Sequence, residues 1–453
     1  MNVKVQLPKF VIKILEKFET NKYEIYIVGG AVRDVILGKI VDDWDFTTNA
    51  TPQEILKIFP EGFYDNKFGT VGINDKSSEN PFEITTYRKE YGYSDSRRPD
   101  KIEWGKTLKE DLSRRDFTIN AMALKQIKGK SREYELIDIF EGQKDLKVKK
   151  IRAVGNPDER FSEDALRMMR AIRIASELNF TIEDKTLQAI KKNANLINRI
   201  AKERVKEELF KLLSSPYPYE GIINFKKSGL LLEIIPELEK TFGVEQKSPG
   251  RHHIHDVGTH LFIALKNCKS ENPVVRFATL IHDIGKPQTY KVLDTGVVTF
   301  YNHEVISTRI AENIADRLRF SNKEKDKFIK LVKFHQFTVD ERQTDSAIRR
   351  FIKNVGKENI EDMLELRVAD RLGGGARETS WRLEEFKKRL IEVQKQPFTV
   401  KDLKINGDDV MKILKIKPSP KIGEILNELY KEVVDKKILN EKQKLLSKLK
   451  EMK

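Results

Sequence analysis

The stretch IVGGAVRDVILGKIVDDWDFTT, residues 27–48, carries the strongest signal in the chain. An apolar run ends in Gly29-Gly30, and a short helical pattern bearing Arg33 and Asp34 follows. Asp43 and Asp45 then stand one residue apart between hydrophobic neighbours. Side chains at i and i+2 of a strand leave the same face, so this spacing predicts two carboxylates aimed at one point. Such a pair suits Mg²⁺, which takes one or two carboxylates and keeps positions for phosphate oxygens. Two cations about 3.5–4 Å apart activate an attacking hydroxyl and stabilise a departing pyrophosphate. Glycines ahead of a helix let backbone N–H groups approach a triphosphate. A DxD pair and a Gly-Gly turn are each common alone. In this order and spacing they read as a phosphate cradle beside a metal pair.

Outward from this stretch, EIYIVGG, WDFTT, GTVGIN, FEITTYR and AMALKQI read as short strands. From about residue 157 the pattern becomes helical, with Ser162 a cap for the run SEDALRMMRAIRIASEL and a second helix in KERVKEELFKLLSS. Breaks fall at SSPYPYEG (214–221) and EQKSPGRHH (245–253). The expected class is α+β. A mixed-sheet head (1–150) is followed by a helical neck (151–215), a helical linker and histidine-bearing body (216–390), and a helical basic tail (391–453). No run of about 18 apolar residues occurs, so no membrane span is expected. The N-terminal segment has no signal-peptide core, and the single cysteine, Cys268, suits a reducing cytoplasm. The net charge of +15 favours a polyanionic partner such as RNA but does not identify one.

GGAVRDVILGKIVDDWDFTT resembles the signature of the polymerase-β-type nucleotidyltransferases, in the branch holding class II tRNA CCA-adding enzymes and bacterial poly(A) polymerases. Further motifs follow in the family's order. RKEYGYSDSRRPDKIEW (88–104) resembles the flexible loop, with Arg88, Glu90, Asp95 and Arg98. DLSRRDFTINAMAL (111–124), LIDIFEGQKDL (136–146), RFSEDALRMMRAIRIASEL (160–178) and AKERVKEELFKLL (201–213) resemble the second to fifth motifs. The resemblance implies that Asp43 and Asp45 bind Mg²⁺, with Glu83 a third carboxylate. It places Gly29, Gly30, Arg33 and Asp34 near the triphosphate. Arg114, Arg115, Asp116 and Asn120 would hold triphosphate and ribose, and Arg170 belongs with the nucleotide-binding set. A guanidinium fork matches two phosphate oxygens.

Asp164 and Arg167, at i and i+3, are expected on one face of a helix. Cytosine presents an N4 donor beside the N3 acceptor, and adenine presents the same order at N6 and N1. A carboxylate with a guanidinium complements both. Uracil and guanine reverse the pattern and would leave buried polar groups unpaired, at about 1–3 kcal/mol each. In the resembling family the matching Asp and Arg select CTP and ATP without a template, supported by the residue matching Glu163.

All seven histidines lie between residues 252 and 335. HDVGTHLFIAL supplies His260, LIHDIGKP supplies His282 and Asp283, FYNHEVIS supplies His303, VKFHQF supplies His335, and RVADRLGGG supplies Asp370. Imidazole and carboxylate together suit a divalent metal. The order resembles the HD phosphohydrolases, whose core ligands would be His260, His282, Asp283 and Asp370, with His303 and His335 completing an enlarged or two-metal site. His252, His253 and His255 read as loop or surface residues. The tail resembles the last segment of HD-bearing CCA-adding relatives. It departs at Ser419, where a glycine is expected, and its lysines suit a tRNA phosphate backbone.

The expected function is template-independent addition of CCA to the tRNA 3′ end from CTP and ATP, in the cytoplasm. Three alternatives stay open: addition of A alone, poly(A) polymerase, and an HD-type phosphohydrolase with an RNA-binding head. The loop at 88–104 argues against an enzyme that adds only CC.

Overall fold

The computed structural model describes residues 2–64, 69–76, 80–91, 101–127, 132–246, 255–337, 340, 342–394, 400–435 and 437–452. Ile25–Val28, apolar at every position and wholly buried, lies in the interior of an eight-stranded mixed sheet. The strand order is Asn2–Lys4, Glu133–Asp138, Met122–Gln126, Ile25–Val28, Asp45–Thr48, Phe82–Thr86, Thr70–Ile73, Phe63–Tyr64. Asp45–Thr48 and Phe82–Thr86 pair in parallel; the other neighbours are antiparallel. The helix Lys9–Thr20 buries Val11, Ile14, Leu15 and Phe18, spaced at three and four residues, which is the period that puts them on one face.

The register sets the site. Val28 lies opposite Asp45, and Asp45 lies opposite Glu83. Neighbouring strands in register send those two carboxylates to the same side of the sheet. The expected strand across both aspartates is shorter than its pattern: it begins at Asp45, and exposed Asp43 precedes it outside the ladder. Arg88–Tyr91 and Lys101–Trp104 form a separate hairpin, so Arg88 and the backbone of Glu90 are placed, while Asp95 and Arg98 lie outside the described residues.

Beyond the head the described chain is helical, apart from short pairs such as Lys150–Ile151 with Thr181–Ile182. One contiguous apolar core runs from Leu7 to Val393. The tail has its own core, built on Val410, Leu429, Leu445 and Leu449, each fully buried. At about 1.5–3 kcal/mol for each such side chain, that cluster suffices to hold three short helices together. Ser419 sits before the helix Pro420–Val434 at φ −159°, an extended conformation open to any residue, so the glycine expected there is not required. No described helix is long and apolar enough to cross a membrane.

Candidate active site and metal centre

Gly29 caps the helix Gly30–Ile36 at φ +76°, a conformation that side-chain-bearing residues rarely adopt. A Cβ there would stand 3.0 Å from Asp45 Oδ2 and 3.2 Å from Arg115 Nη1. The glycine therefore sits at the point where the strand carboxylate and the second-motif arginine converge. Burial and the like charge of Asp43 push the Asp45 carboxyl up to about 6, against the opposing pull of Arg115 and Arg170. A carboxylate held in that state is suited to a divalent cation. Glu83 is exposed on the adjoining strand.

Arg33 is not turned outward alone. Its Nε and Nη2 donate to Asp34 at 2.9 and 2.7 Å, and its Nη1 donates to Asn120 Oδ1 at 2.9 Å. Asn120 Nδ2 donates to Asp116 Oδ1 at 3.2 Å, and Arg170 Nε donates to Asp116 Oδ2 at 2.8 Å. Burial alone would raise the Asp116 carboxyl, but the Arg170 charge and hydrogen bond outweigh it, and it falls to about 2. Asp116 in turn raises Arg170. These five residues tie the head to the neck helix Leu166–Leu178.

Arg114 and Arg115 are held by Asp111, which is fully buried in the helix Leu108–Ser113. Arg114 Nη2 is 2.6 Å from Asp111 Oδ1, and Arg115 Nη2 is 3.3 Å from Oδ2. Burial opposes the Asp111 charge, and the two guanidiniums bring its carboxyl below the ordinary range.

The fourth motif departs from the single helix expected. One helix, Pro157–Glu163, is capped by Asn156 and not by Ser162, because Pro157 fits the first helical position. Asp164 then adopts φ −139°, ψ 103°, and a new helix starts at Leu166. Asp164 Oδ1 accepts from Leu166 N at 3.0 Å, which caps the new start. Arg167 pairs with Glu163 Oε2 at 2.6 Å, not with Asp164, and Nη2 donates to Arg114 O at 2.9 Å.

Asp164, Arg167, Arg114, Arg115, Asp116 and Arg170 nonetheless line one cavity of 420 Å³. Arg204, Glu207, Glu208 and Lys211 complete its wall from the helix Lys202–Ser214. No single residue of that helix stands out in the sequence, although positions 204, 207, 208 and 211 share one face by their spacing. Among the described residues, Arg204 Nη1 and Arg115 Nε are buried without a hydrogen-bond partner.

Comparison with known proteins fits this geometry. Residues 25–152 match the poly(A) polymerase head domain family, and 179–242 match the RNA and SrmB-binding site of polymerase A. Residues 299–449 match domain 2 of tRNA nucleotidyltransferases. The chain is 35% identical over 445 residues to the CCA-adding enzyme of Ligilactobacillus salivarius, covering 98% of this chain and 96% of that one. The chain belongs to the family of CCA-adding enzymes. A second relative, the CCA-adding enzyme of Pediococcus pentosaceus, is 32% identical over 435 residues, 96% of this chain and 95% of that one. The crystal structure of the Bacillus stearothermophilus CCA-adding enzyme in complex with CTP superposes with a TM-score of 0.70 at 27% identity, covering 99% and 98% of the two chains. CCA-adding nucleotidyltransferases use a divalent metal.

A second cluster lies in the body. His260, His282, Asp283 and Asp370 bring one ligand atom each within 4.8 Å of one another, and so do Asp283, His303 and His335. Asp283 belongs to both groups: Oδ2 is 3.4 Å from His260 and His282 Nε2, and Oδ1 is 3.1 Å from His303 Nε2 and 3.4 Å from His335 Nε2. His282, His303 and His335 direct Nδ1 at backbone carbonyls of Thr279, Phe300 and Val332, at 2.8, 2.9 and 2.7 Å. Those contacts fix the tautomer that leaves Nε2 as the ligand atom. Gly285 permits the approach, since a Cβ there would lie 2.5 Å from His303 O and Ser307 N. Burial opposes charge on His282, yet Asp283 and Asp370 raise it to about 10, a sign of negative charge that a cation would neutralise. Among the described residues, the head carboxylates form no such three-ligand group. His255 is half-buried, and His252 and His253 lie outside the described residues.

Proposed function

We propose that this chain rebuilds the CCA 3′ end of tRNA from CTP and ATP without a nucleic-acid template. The RNA terminal hydroxyl attacks the α-phosphorus, a new P–O bond forms, and the bond to pyrophosphate breaks. The observation that carries this reading is the single cavity that joins Asp164 and Arg167 to Arg114 and Arg115. Arg115 also reaches the Gly29 turn beside Asp45. In this reading the arginines hold triphosphate, while Asp164 accepts from the exocyclic amine and Arg167 donates to the ring nitrogen. Asp43 and Asp45, with Glu83, are the residues that would hold Mg²⁺. Bound there, the ion supplies charge neutralisation of the phosphates and a more acidic attacking hydroxyl. Arg33, Asp34, Asn120, Asp116 and Arg170 hold the head and neck in register around the nucleotide.

The division into head, neck, body and tail near residues 150, 215 and 390 belongs to the same proposal. The tail, with Lys401, Lys404, Lys412, Lys415 and Lys417 exposed, is placed against the tRNA phosphates. A cytoplasmic location follows from the substrates. Extension of tRNA transcripts ending at the discriminator base, at C and at CC tests the reading, with CTP, ATP, UTP and GTP singly and mixed. A discrete CCA end on every transcript with CTP plus ATP supports it. Growth of the CC transcript alone assigns addition of A only, and a long ATP ladder assigns poly(A) synthesis.

A second reading concerns the body. His260, His282, Asp283 and Asp370 would hold one divalent cation, and Asp283, His303 and His335 another. Bound there, such ions supply Lewis-acid polarisation of a phosphate ester. The shared Asp283 is the observation that favours two ions over one.

A further inference from the structure

The helix Lys202–Ser214 brings Arg204 to the wall of the neck cavity that also holds Asp164. Arg204 Nη2 stands 3.7 Å from Asp164 Oδ2, an ion pair too long to be a hydrogen bond. Nη1 is buried and, among the described residues, has no hydrogen-bond partner. The carboxylate one turn along the same helix is engaged elsewhere: Glu208 Oε2 accepts from Arg173 Nε at 2.7 Å. Leaving a buried donor unpaired is costly, so a guanidinium of this kind on a ligand cavity calls for an acceptor on the ligand.

The place of that donor indicates which acceptor. Asp164 Oδ1 is taken by Leu166 N at 3.0 Å, which leaves Oδ2, the oxygen near Arg204, for the exocyclic amine of a base. Arg167 reaches the same cavity from the helix Leu166–Leu178, braced by Glu163 Oε2 at 2.6 Å and by Arg114 O at 2.9 Å. The cavity therefore offers a carboxylate acceptor with guanidinium donors from two different helices. Adenine presents the complement along one edge: the N7 acceptor, the N6 amine donor and the N1 acceptor. Cytosine shares the amine and the ring acceptor, but carries a carbon-bound hydrogen at C5 where adenine has N7.

We propose that Arg204 is a specificity-determining residue that donates to adenine N7, so that the neck cavity holds A by three polar contacts and C by two. The inference rests on the reading that Asp164 and Arg167 meet the base edge during CCA addition. Arg204 is then idle while C is added and engaged when A is added. The preference needs no movement of Asp164 or Arg167, because the third contact lies on a separate helix.

The test uses the full chain, tRNA transcripts ending at CC, and two triphosphates. One is ATP; the other is 7-deaza-ATP, which replaces N7 by C–H and keeps N6 and N1. For addition of one nucleotide, kcat/KM is expected to be about tenfold lower with 7-deaza-ATP. Arg204→Met is expected to use the two triphosphates equally. Its ratio of kcat/KM for ATP to that for CTP, the latter read on transcripts ending at the discriminator base, should fall about tenfold from the parent ratio. Each readout is a ratio within one preparation, so a smaller folded fraction does not move it. If Arg204→Met adds no nucleotide, equilibrium binding of ATP and 7-deaza-ATP reads the same preference. A parent chain that uses ATP and 7-deaza-ATP equally overturns the proposal alone. A preference for ATP that survives in Arg204→Met also overturns it. Failure of the parent to extend the CC transcript with ATP overturns the reading of the function, and the proposal with it.

Discussion

Arg167 turns its guanidinium to Glu163 at 2.6 Å and leaves Asp164 to cap the next helix. The pair assigned to the base edge is therefore held apart by separate partners, so that carboxylate and guanidinium both face the cavity without neutralising each other. Asp164→Asn offers an amide that can donate as well as accept. We expect incorporation of C and A to fall about 10–100-fold, with U and G entering at detectable rates. Glu163→Gln loosens Arg167 without removing either base contact, and lowers kcat/KM about tenfold for both CTP and ATP. Single-nucleotide extension with each triphosphate reads both effects. Unchanged discrimination in Asp164→Asn would remove the residue from base selection.

A methyl group at Gly29 would stand 3.0 Å from Asp45 Oδ2 and 3.2 Å from Arg115 Nη1, close enough that those side-chain ends must give way. Gly29→Ala forces a side-chain-bearing residue into φ +76°, ψ −145°, at a backbone cost of about 1–3 kcal/mol, and displaces the carboxylate. Stability should drop by little more than that, since the crowded atoms are the ends of side chains and not backbone. Nucleotidyl transfer should fall at least about 100-fold, because small displacements at a reacting centre cost rate steeply. Thermal unfolding measured beside kcat separates the two.

The Asp116–Arg170 pair gives a pH dependence with a defined sign. The Asp116 carboxyl sits at about 2 in the folded chain against an ordinary 3.8. A depressed carboxyl stabilises the fold above its unfolded value, so the contribution is complete above about pH 4 and is lost as pH falls through about 2. The shift corresponds to about 2 kcal/mol. Arg170→Met leaves a buried carboxylate without its cation, costs about 3–5 kcal/mol near neutrality, and reverses the slope. Denaturant midpoints of parent and variant between pH 3 and 7 check this: the gap should narrow as the solution is acidified.

Much of this was legible in residue types and their order. The head strands announce themselves by buried apolar runs such as Ile25–Val28, and the seven histidines by their confinement to one region. The break at Asp164 was not legible as a break, because SEDALR keeps helical spacing and contains neither Gly nor Pro. The cue available was an Asp two residues before Leu166, the position from which a carboxylate caps a helix start. The start of the strand at Asp45 escaped because register, set by Glu83 some forty residues later, decides where pairing begins. Asp111 and Arg204 escaped for a common reason. A charged residue reads as solvated until the fold shows what buries it.

Asp283 lies in both groups of the body that could hold a metal ion, and on the two-ion reading this fixes how metal content should respond to substitution. Asp283→Asn should reduce bound Mn²⁺ from about two ions to about zero after dialysis, because it lowers the charge of both groups. His303→Gln leaves the group of His260, His282 and Asp370 whole and should retain about one. Direct metal analysis after dialysis reads the series. Equal losses in the two variants would mean a single centre. Neither change should alter CCA addition by the head, which a parallel extension assay records.

The tail closes around its own apolar cluster, apart from the core that ends at Val393. Its exposed lysines can therefore change without disturbing the catalytic half. Lys401→Ala, Lys404→Ala, Lys412→Ala, Lys415→Ala and Lys417→Ala combined should leave kcat near the parent value and raise KM for tRNA. If all five meet phosphates, the slope of log KM against log salt should shrink by about 0.9 for each phosphate no longer neutralised. KM for CTP should stay the same, since no described tail residue lines the cavity proposed for the nucleotide. An unchanged slope would assign those lysines to solvent and move tRNA binding to the head and neck.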